Sequence, residues 1–105
     1  MNQSRHSILD TPLTLPCGVT IKNRFFKSAM SEILADEKNR PTPALNRLYE
    51  RWAKGGTGLI VTGNIMVDRK ALGEPRNVVM DRDDDLPALS QWAECGKKDG
   101  AQIWV

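Results

Sequence analysis

The stretches KNRFFKSAMS at residues 22–31 and GLIVTGN at residues 58–64 decide the fold of this chain. In each, an apolar run gives way to small or polar residues, which is typical of a buried strand that ends at a loop. The first strand is predicted over Arg24–Met30. The second is predicted over Gly58–Thr62, and its compact apolar core is typical of a strand covered on both faces in a parallel sheet.

A helix is predicted between these two strands, over residues 43–54. Thr42 offers an N-cap hydroxyl, Pro43 takes the first helical position, and Gly55-Gly56 stops the helix. Apolar side chains recur at helical spacing and form one face: Leu45, Leu48, Tyr49 and Trp52. The order strand, helix, strand therefore occurs once in the first 62 residues.

The same order repeats toward the carboxyl end. Asp83-Asp84-Asp85 is predicted to cap and complement a second helix, which ends at Gly100, and Ala101–Val105 is predicted as a third buried strand. The resulting βαβαβ order implies parallel pairing through right-handed crossovers. Two α/β architectures fit this order, the doubly wound sheet and the eight-stranded barrel, and periodicity does not choose between them.

A β-hairpin is predicted ahead of the first long strand, from Leu13–Leu15 and Val19–Ile21 around turn residues. Two long irregular stretches, 32–40 and 66–82, each follow a strand. In both parallel architectures the ligand site lies beyond the carboxyl ends of the strands. We therefore expect the residues that follow the first two strands to converge on one pocket.

The chemistry of these strand ends suits a flat heteroaromatic ligand. Ser31 offers a hydroxyl, Met30 offers a polarizable apolar surface, and Ala29 and Gly63 are small enough for a planar ring to approach the backbone. The sequence lacks a GxGxxG after the first strand and lacks a GxxxxGK[ST] motif, so a dinucleotide or P-loop phosphate cradle is not supported. This weakens the doubly wound alternative.

The motif LPxGxxIKNR, followed by FxxSAMS and later by GLIVTGN, resembles the old yellow enzyme family of NADH:flavin oxidoreductases. The likeness covers residues 13–105. It implies a β-hairpin plus the first βαβαβ portion of an FMN-containing TIM (β/α)8 barrel, in which the hairpin closes the barrel bottom. It also implies that hydride passes from NADH or NADPH through flavin to an activated alkene, such as an α,β-unsaturated carbonyl compound.

The resemblance also implies cofactor-binding positions. The end of the family's first strand falls on Ser28, Ala29, Met30 and Ser31, and the small residue at the end of its second strand falls on Gly63. Ser31 is expected to hydrogen-bond the C4 carbonyl region of the flavin, and Ala29 stands where the family usually has proline. Two alternatives stay open: a Ser31 hydroxyl satisfied by a neighbouring carbonyl, and a Gly63 that only allows an unusual backbone angle.

No catalytic or metal-binding residue is assigned. In the family, the pair that binds the substrate carbonyl, the tyrosine proton donor and the basic residues for the phosphate come from later strands. Some relatives place a substrate-contacting tyrosine two positions beyond the Ser31 site, where this chain has Ile33. The sequence therefore predicts the amino-terminal part of one barrel domain over residues 1–105, which exposes apolar surface and does not catalyse alone.

Composition excludes several other functions. A net charge of +2 gives no single-sign field that indicates nucleic acid or an anionic membrane as partner. Cys17 and Cys95 lie far apart without metal-ligand spacing, which favours a reducing, cytoplasmic location. A small-molecule substrate is the expected partner, and a homo-oligomer stays open. The rival interpretations are another (β/α)8 flavin or phosphate-ligand enzyme, and a small non-catalytic α/β module.

Overall fold

A computed structural model describes residues 7–105, so the first six residues of the predicted domain lie outside the described part. The predicted hairpin is confirmed: β1 (Leu13–Thr14) pairs antiparallel with β2 (Thr20–Ile21). Gly18 takes a φ of 95° in the connecting turn, a conformation that glycine adopts without strain.

A three-stranded parallel sheet forms the centre of the fold. Its strands are β3 (Phe26–Lys27), β4 (Leu59–Val61) and β7 (Gln102–Trp104), with β4 in the middle. The register aligns Phe26 with Leu59 and Leu59 with Gln102. The predicted parallel order of the three strands is confirmed.

The strand predicted over Arg24–Met30 is wrong in length, because only two of its residues belong to β3. The Val61 carbonyl of β4 accepts a hydrogen bond from the Lys27 ammonium at 2.9 Å. A side chain thus takes the acceptor that a longer β3 would need for its backbone. The chain leaves the sheet directly after Lys27, and the predicted cofactor residues lie in an extended loop.

Two helices cover one face of the sheet. The first, α1 (Pro43–Lys54), has the predicted bounds, and its N-cap Thr42 accepts a hydrogen bond from the Leu45 amide at 3.2 Å. The second, α2 (Leu86–Gly96), ends four residues before the predicted Gly100. A short 3-10 turn follows, in which Asp99 and Gly100 take positive φ values of 54° and 80° and lead the chain into β7.

The prediction that Asp83-Asp84-Asp85 caps the second helix is correct in position but wrong in the contact, because Asp85 stands at the N-cap of α2 without a capping hydrogen bond from its side chain. These three residues form a 3-10 turn, and no side-chain hydrogen bond caps either that turn or α2. Asp85 is buried and instead accepts a hydrogen bond from Arg69 at 3.4 Å. Burying an ionised carboxylate without a partner costs much free energy, so pairing Asp85 with Arg69 outweighs a capping bond at the start of a helix, where water can bond the free amides.

A second pair of strands begins at Ile65 and falls otherwise within the stretch 66–82, which the sequence predicts to be irregular. β5 (Ile65–Met66) pairs in parallel with β6 (Val78–Val79), and both residues of β6 are buried. Two-residue strands are too short to produce a visible alternation, so the sequence pattern missed them.

The hydrophobic core lies between the two helices and one face of the sheet. Tyr49 is fully buried, and its ring meets the rings of Trp52 and Trp92 edge-on, with centroids 5.1 Å apart in each case. Ile60 of β4 completes this core. Apolar side chains of the hairpin and the sheet line a separate open groove of about 360 Å³, and two of them, Phe26 and Trp104, are 59% and 42% exposed.

Within residues 7–105 no helix combines the length and the apolar character that a membrane crossing requires.

Candidate functional site

The carboxyl ends of β3 and β4 meet at one edge of the sheet, as the sequence predicts. The loop 28–31 follows β3, and the loop 62–64 follows β4. The contact between them is close: a side chain added at Gly63 would overlap the carbonyl oxygen of Met30. The predicted cofactor residues therefore converge on one small region.

The structure supplies a steric reason for glycine at position 63. An added Cβ atom would overlap the carboxylate of Glu32 as well as the Met30 carbonyl. The alternative of an unusual backbone angle is wrong, because the glycines with positive φ among the described residues are Gly18, Gly56 and Gly100. A side chain at position 63 would thus collide with the protein itself.

Ser31 has a carboxylate partner. Its hydroxyl donates to Glu74 Oε1 at 2.5 Å, and Asn64 Nδ2 donates to the same oxygen at 3.4 Å. The Glu74 amide donates in turn to Asn77 Oδ1 at 2.7 Å, which fixes the start of this turn. The alternative of a neighbouring carbonyl as the Ser31 partner is therefore wrong. The loop after β3 and the loop after β4 share one acceptor.

The remaining predicted residues form an exposed strip. Ser28, Ala29 and Met30 are all exposed, and Met30 has 56% of its surface in contact with solvent. Small side chains, one polarizable apolar side chain and the Ser31 hydroxyl give this strip the character that a planar aromatic ring requires. The residues present thus fit the ring of a flavin, although binding by Ser28–Ser31 and Gly63 stays a prediction.

Lys27, the basic residue next to the strip, serves another purpose. Its ammonium bonds the Val61 carbonyl and lies 4.6 Å from the ring centroid of Trp52, which is the distance of a cation–π contact. Burial lowers the pKa of Lys27, and the nearby Glu32 carboxylate offsets part of that effect. The side chain is therefore engaged with β4 and α1, away from a role in binding phosphate.

Behind the strip lies a polar junction that was not predicted from the sequence. Tyr49 of α1 donates its hydroxyl proton to Glu32 Oε2, and the Gly63 amide donates to Glu32 Oε2 at 3.2 Å and to the Tyr49 hydroxyl oxygen at 3.3 Å. Burial raises the pKa of Tyr49, and the hydrogen bond to Glu32 raises it further, so the hydroxyl stays protonated as a donor. We call Glu32, Tyr49 and Gly63 the carboxylate junction.

One feature of the sequence could have indicated this junction. A tyrosine on the buried face of a helix carries a hydroxyl that needs a partner. Glu32 directly follows the predicted cofactor residues and begins the loop that leads to that helix.

Comparisons with known proteins agree with the resemblance found in the sequence. The model of the NADH:flavin oxidoreductase / NADH oxidase family matches residues 9–105. The chain is 39% identical over 98 residues to the NADH-dependent flavin oxidoreductase iliE of Hypocrea jecorina, a match that covers 90% of this chain and 24% of that protein. It is 35% identical over 81 residues to iccE of Talaromyces variabilis, which covers 76% of this chain and 20% of that protein.

Solved structures share the fold at low identity. The old yellow enzyme homologue from Zymomonas mobilis matches 93% of this chain and 27% of its own, with a TM-score of 0.81 and 21% identity. Morphinone reductase in complex with tetrahydroNAD matches 93% of this chain and 26% of its own, with a TM-score of 0.79 and 19% identity. The chain thus has the α/β fold found in old yellow enzymes.

The chain spans about a quarter of the length of the iliE protein it matches. The family match extends over nearly all of its own residues, from position 9 to position 105. The chain therefore belongs to the NADH:flavin oxidoreductase / NADH oxidase family, a family of oxidoreductases.

Proposed function

We propose that this chain forms the amino-terminal hairpin and first βαβαβ portion of an FMN-dependent (β/α)8 barrel. In the intact protein, hydride passes from NADH or NADPH through flavin to an activated alkene, such as an α,β-unsaturated carbonyl compound. The observation that carries the proposal is the convergence of the Met30 carbonyl and Gly63 at the carboxyl edge of a parallel sheet. Active sites of such barrels lie at this edge.

The exposed strip supplies the binding surface in this proposal. Bound flavin would accept hydride from the nicotinamide and deliver it to the alkene. The backbone of Ser28–Met30 would lie against the ring, and Met30 would add an apolar contact. The Ser31 hydroxyl has a single proton, so it would leave Glu74 to donate to a ring carbonyl, while Asn64 continues to donate to Glu74. Such a bond contributes about 1 kcal/mol, but forming it costs the bond between Ser31 and Glu74, so the net contribution to flavin affinity is smaller.

The exposed groove of the sheet supports the barrel architecture. Phe26 and Trp104 are large apolar side chains that solvent reaches in this chain. Further strands of a closed barrel would cover such side chains, because the interior of these barrels is packed with side chains. We therefore expect residues 1–105 alone to be inactive, with the substrate-binding and proton-donating groups supplied by later strands. A cytoplasmic location and a homo-oligomer also stay proposals.

The test uses the purified, intact product of the gene. Under anaerobic conditions, NADH and then NADPH are added and flavin reduction is followed by absorbance. A cyclic α,β-unsaturated ketone is then added, and the saturated product is identified by mass spectrometry with deuterated reductant. We expect flavin reduction followed by deuterium in the saturated ketone. A flavin that is reduced but transfers no hydride to any activated alkene would contradict the proposed substrate class.

A further inference from the structure

The carboxylate junction connects three parts of the fold through one side chain. Glu32 follows Ser31 directly in the chain, its Oε2 atom accepts from the Gly63 amide after β4, and the same atom accepts from Tyr49 in the middle of α1. Both predicted cofactor segments are therefore held by a residue that lies between them and the helix. The carboxylate fills the space that a side chain at position 63 would take.

Core packing alone does not require a carboxylate at this place. A partly buried carboxylate loses hydration, and an apolar pair of similar volume would pack against the aromatic rings without that loss. Tyr49 is fully buried, yet it carries a hydroxyl that only a polar neighbour satisfies. The carboxylate junction therefore lowers the stability of the fold relative to an apolar pair, but it holds the groups around the Gly63 amide in a defined geometry.

The backbone next to Glu32 carries a second indication. Ile33 has a φ of 55°, in the left-handed region that β-branched residues avoid. Such strain persists where the surrounding structure fixes the chain, and it clusters at functional sites. Here the left-handed residue comes directly after Glu32, whose carboxylate is held at the junction while the chain continues toward the buried Ala35.

We propose that Glu32 is a positioning residue, whose side-chain length sets the separation between the Met30–Ser31 segment and Gly63 for a planar cofactor. The proposal rests on the proposed flavin function. It assigns to Glu32 no contact with substrate or cofactor, since its carboxylate is engaged with Tyr49 and the Gly63 amide. Length is the decisive property, because Oε2 must reach both donors from the chain that follows Ser31.

The test separates length from charge in the intact gene product. Glu32→Gln keeps the length and one acceptor oxygen but removes the charge, whereas Glu32→Asp keeps the charge and shortens the side chain by one methylene. We expect Glu32→Asp to weaken flavin affinity by roughly tenfold or more, by analogy with residues that orient metal ligands, whose replacement weakens metal affinity by about that factor. We expect Glu32→Gln to bind flavin within about threefold of the wild type, since an amide oxygen also accepts from both donors.

The matched control is Glu50→Asp, which shortens a carboxylate on the same helix as Tyr49. Glu50 pairs with Lys54 at 3.7 Å on the partly exposed side of α1, so its flavin affinity should equal that of the wild type. Thermal unfolding of each apoprotein separates loss of affinity from loss of folded protein. A Glu32→Asp protein that binds flavin as the wild type does, or a Glu32→Gln protein as weak as Glu32→Asp, would overturn the proposal.

A second measurement does not depend on flavin. Hydrogen exchange of the Gly63 amide is followed in the apoprotein, where Glu32→Asp should speed exchange and Glu32→Gln should leave it slow. Unchanged exchange in Glu32→Asp would count against the positioning role. A wild-type gene product that holds no flavin would refute the proposed function instead, and the two failures are thus distinguishable.

Discussion

Replacing Gly63 by alanine tests the contact between the two strand ends. The new methyl group would overlap the Met30 carbonyl and the Glu32 carboxylate. Overpacking of this kind costs about 1–3 kcal/mol, and the lower backbone entropy of alanine in the unfolded chain returns about 0.4–1 kcal/mol. The overlapped Met30 atom belongs to the main chain, which cannot rotate away as a side chain can. We therefore expect a net loss of about 1–2 kcal/mol in the free energy of unfolding.

Urea unfolding of the intact apoprotein measures this loss. With a slope of about 2 kcal/mol per molar urea, the expected loss lowers the midpoint by about 0.5–1 M. Gly73→Ala is the matched control, because the nearest atom to its added Cβ lies 3.5 Å away, an ordinary contact, and its φ is not in the left-handed region. Its midpoint should stay equal to that of the wild type or rise slightly. A Gly63→Ala midpoint equal to that of Gly73→Ala would refute the steric argument.

Three further predictions follow from single residues. Ser31→Ala should change flavin affinity by less than about fivefold, the equivalent of about 1 kcal/mol, because the hydroxyl gives up its bond to Glu74 when it bonds the flavin; titrating the apoprotein with FMN measures this. Trp92→Ala should cost about 3–5 kcal/mol in urea unfolding, because the ring is 3% exposed and meets Tyr49 edge-on. Burial alone would raise the pKa of Asp36, but hydrogen bonds from Arg40 and Lys38 bring that pKa below 3.8 in the folded protein. The Asp36 carboxylate therefore stabilises the fold above pH 3.8, and this contribution is lost as the pH falls through the pKa of the folded state. Asp36→Asn should accordingly flatten the acid side of the stability profile, and an unchanged profile would contradict this.

The elements that could be predicted from the sequence are those with clear local signals, such as capping residues and compact apolar runs. Helix α1 has the predicted bounds because Thr42 and Pro43 fix its first turn and Gly55 follows its last residue. The parallel order of β3, β4 and β7 was predictable because each strand has a compact apolar run and a helix lies between them. The convergence of Met30 and Gly63 followed from that order, since parallel strands end at the same edge.

Features that depend on contacts between residues far apart in the chain could not be predicted from the sequence. The length of β3 depends on the Lys27 ammonium, which takes the Val61 carbonyl from across the sheet. Asp85 has a cap-like position in the sequence, but it pairs with Arg69 from the loop after β5. In both cases the outcome depends on a contact between residues far apart in sequence, and local propensity carries no information about such a contact.

The carboxylate junction was missed for the same reason. Glu32 begins a polar loop and Tyr49 lies within a helical face, and each residue has an ordinary explanation in its own segment. Their hydrogen bond exists because α1 packs its buried face against β4, which places the Tyr49 hydroxyl beside the Gly63 amide. Ser31 was identified from its place at a strand end and from the resemblance, whereas its partner Glu74 lies 43 positions away in sequence.

The most direct test of the central claim is the identity of the cofactor in the purified, intact gene product. The protein is denatured, and the released molecule is separated by chromatography and identified by mass. We expect FMN in an amount equimolar with the protein chain. A folded gene product that releases no flavin, and that binds no FMN when the apoprotein is titrated with it, would contradict the proposed FMN-dependent function.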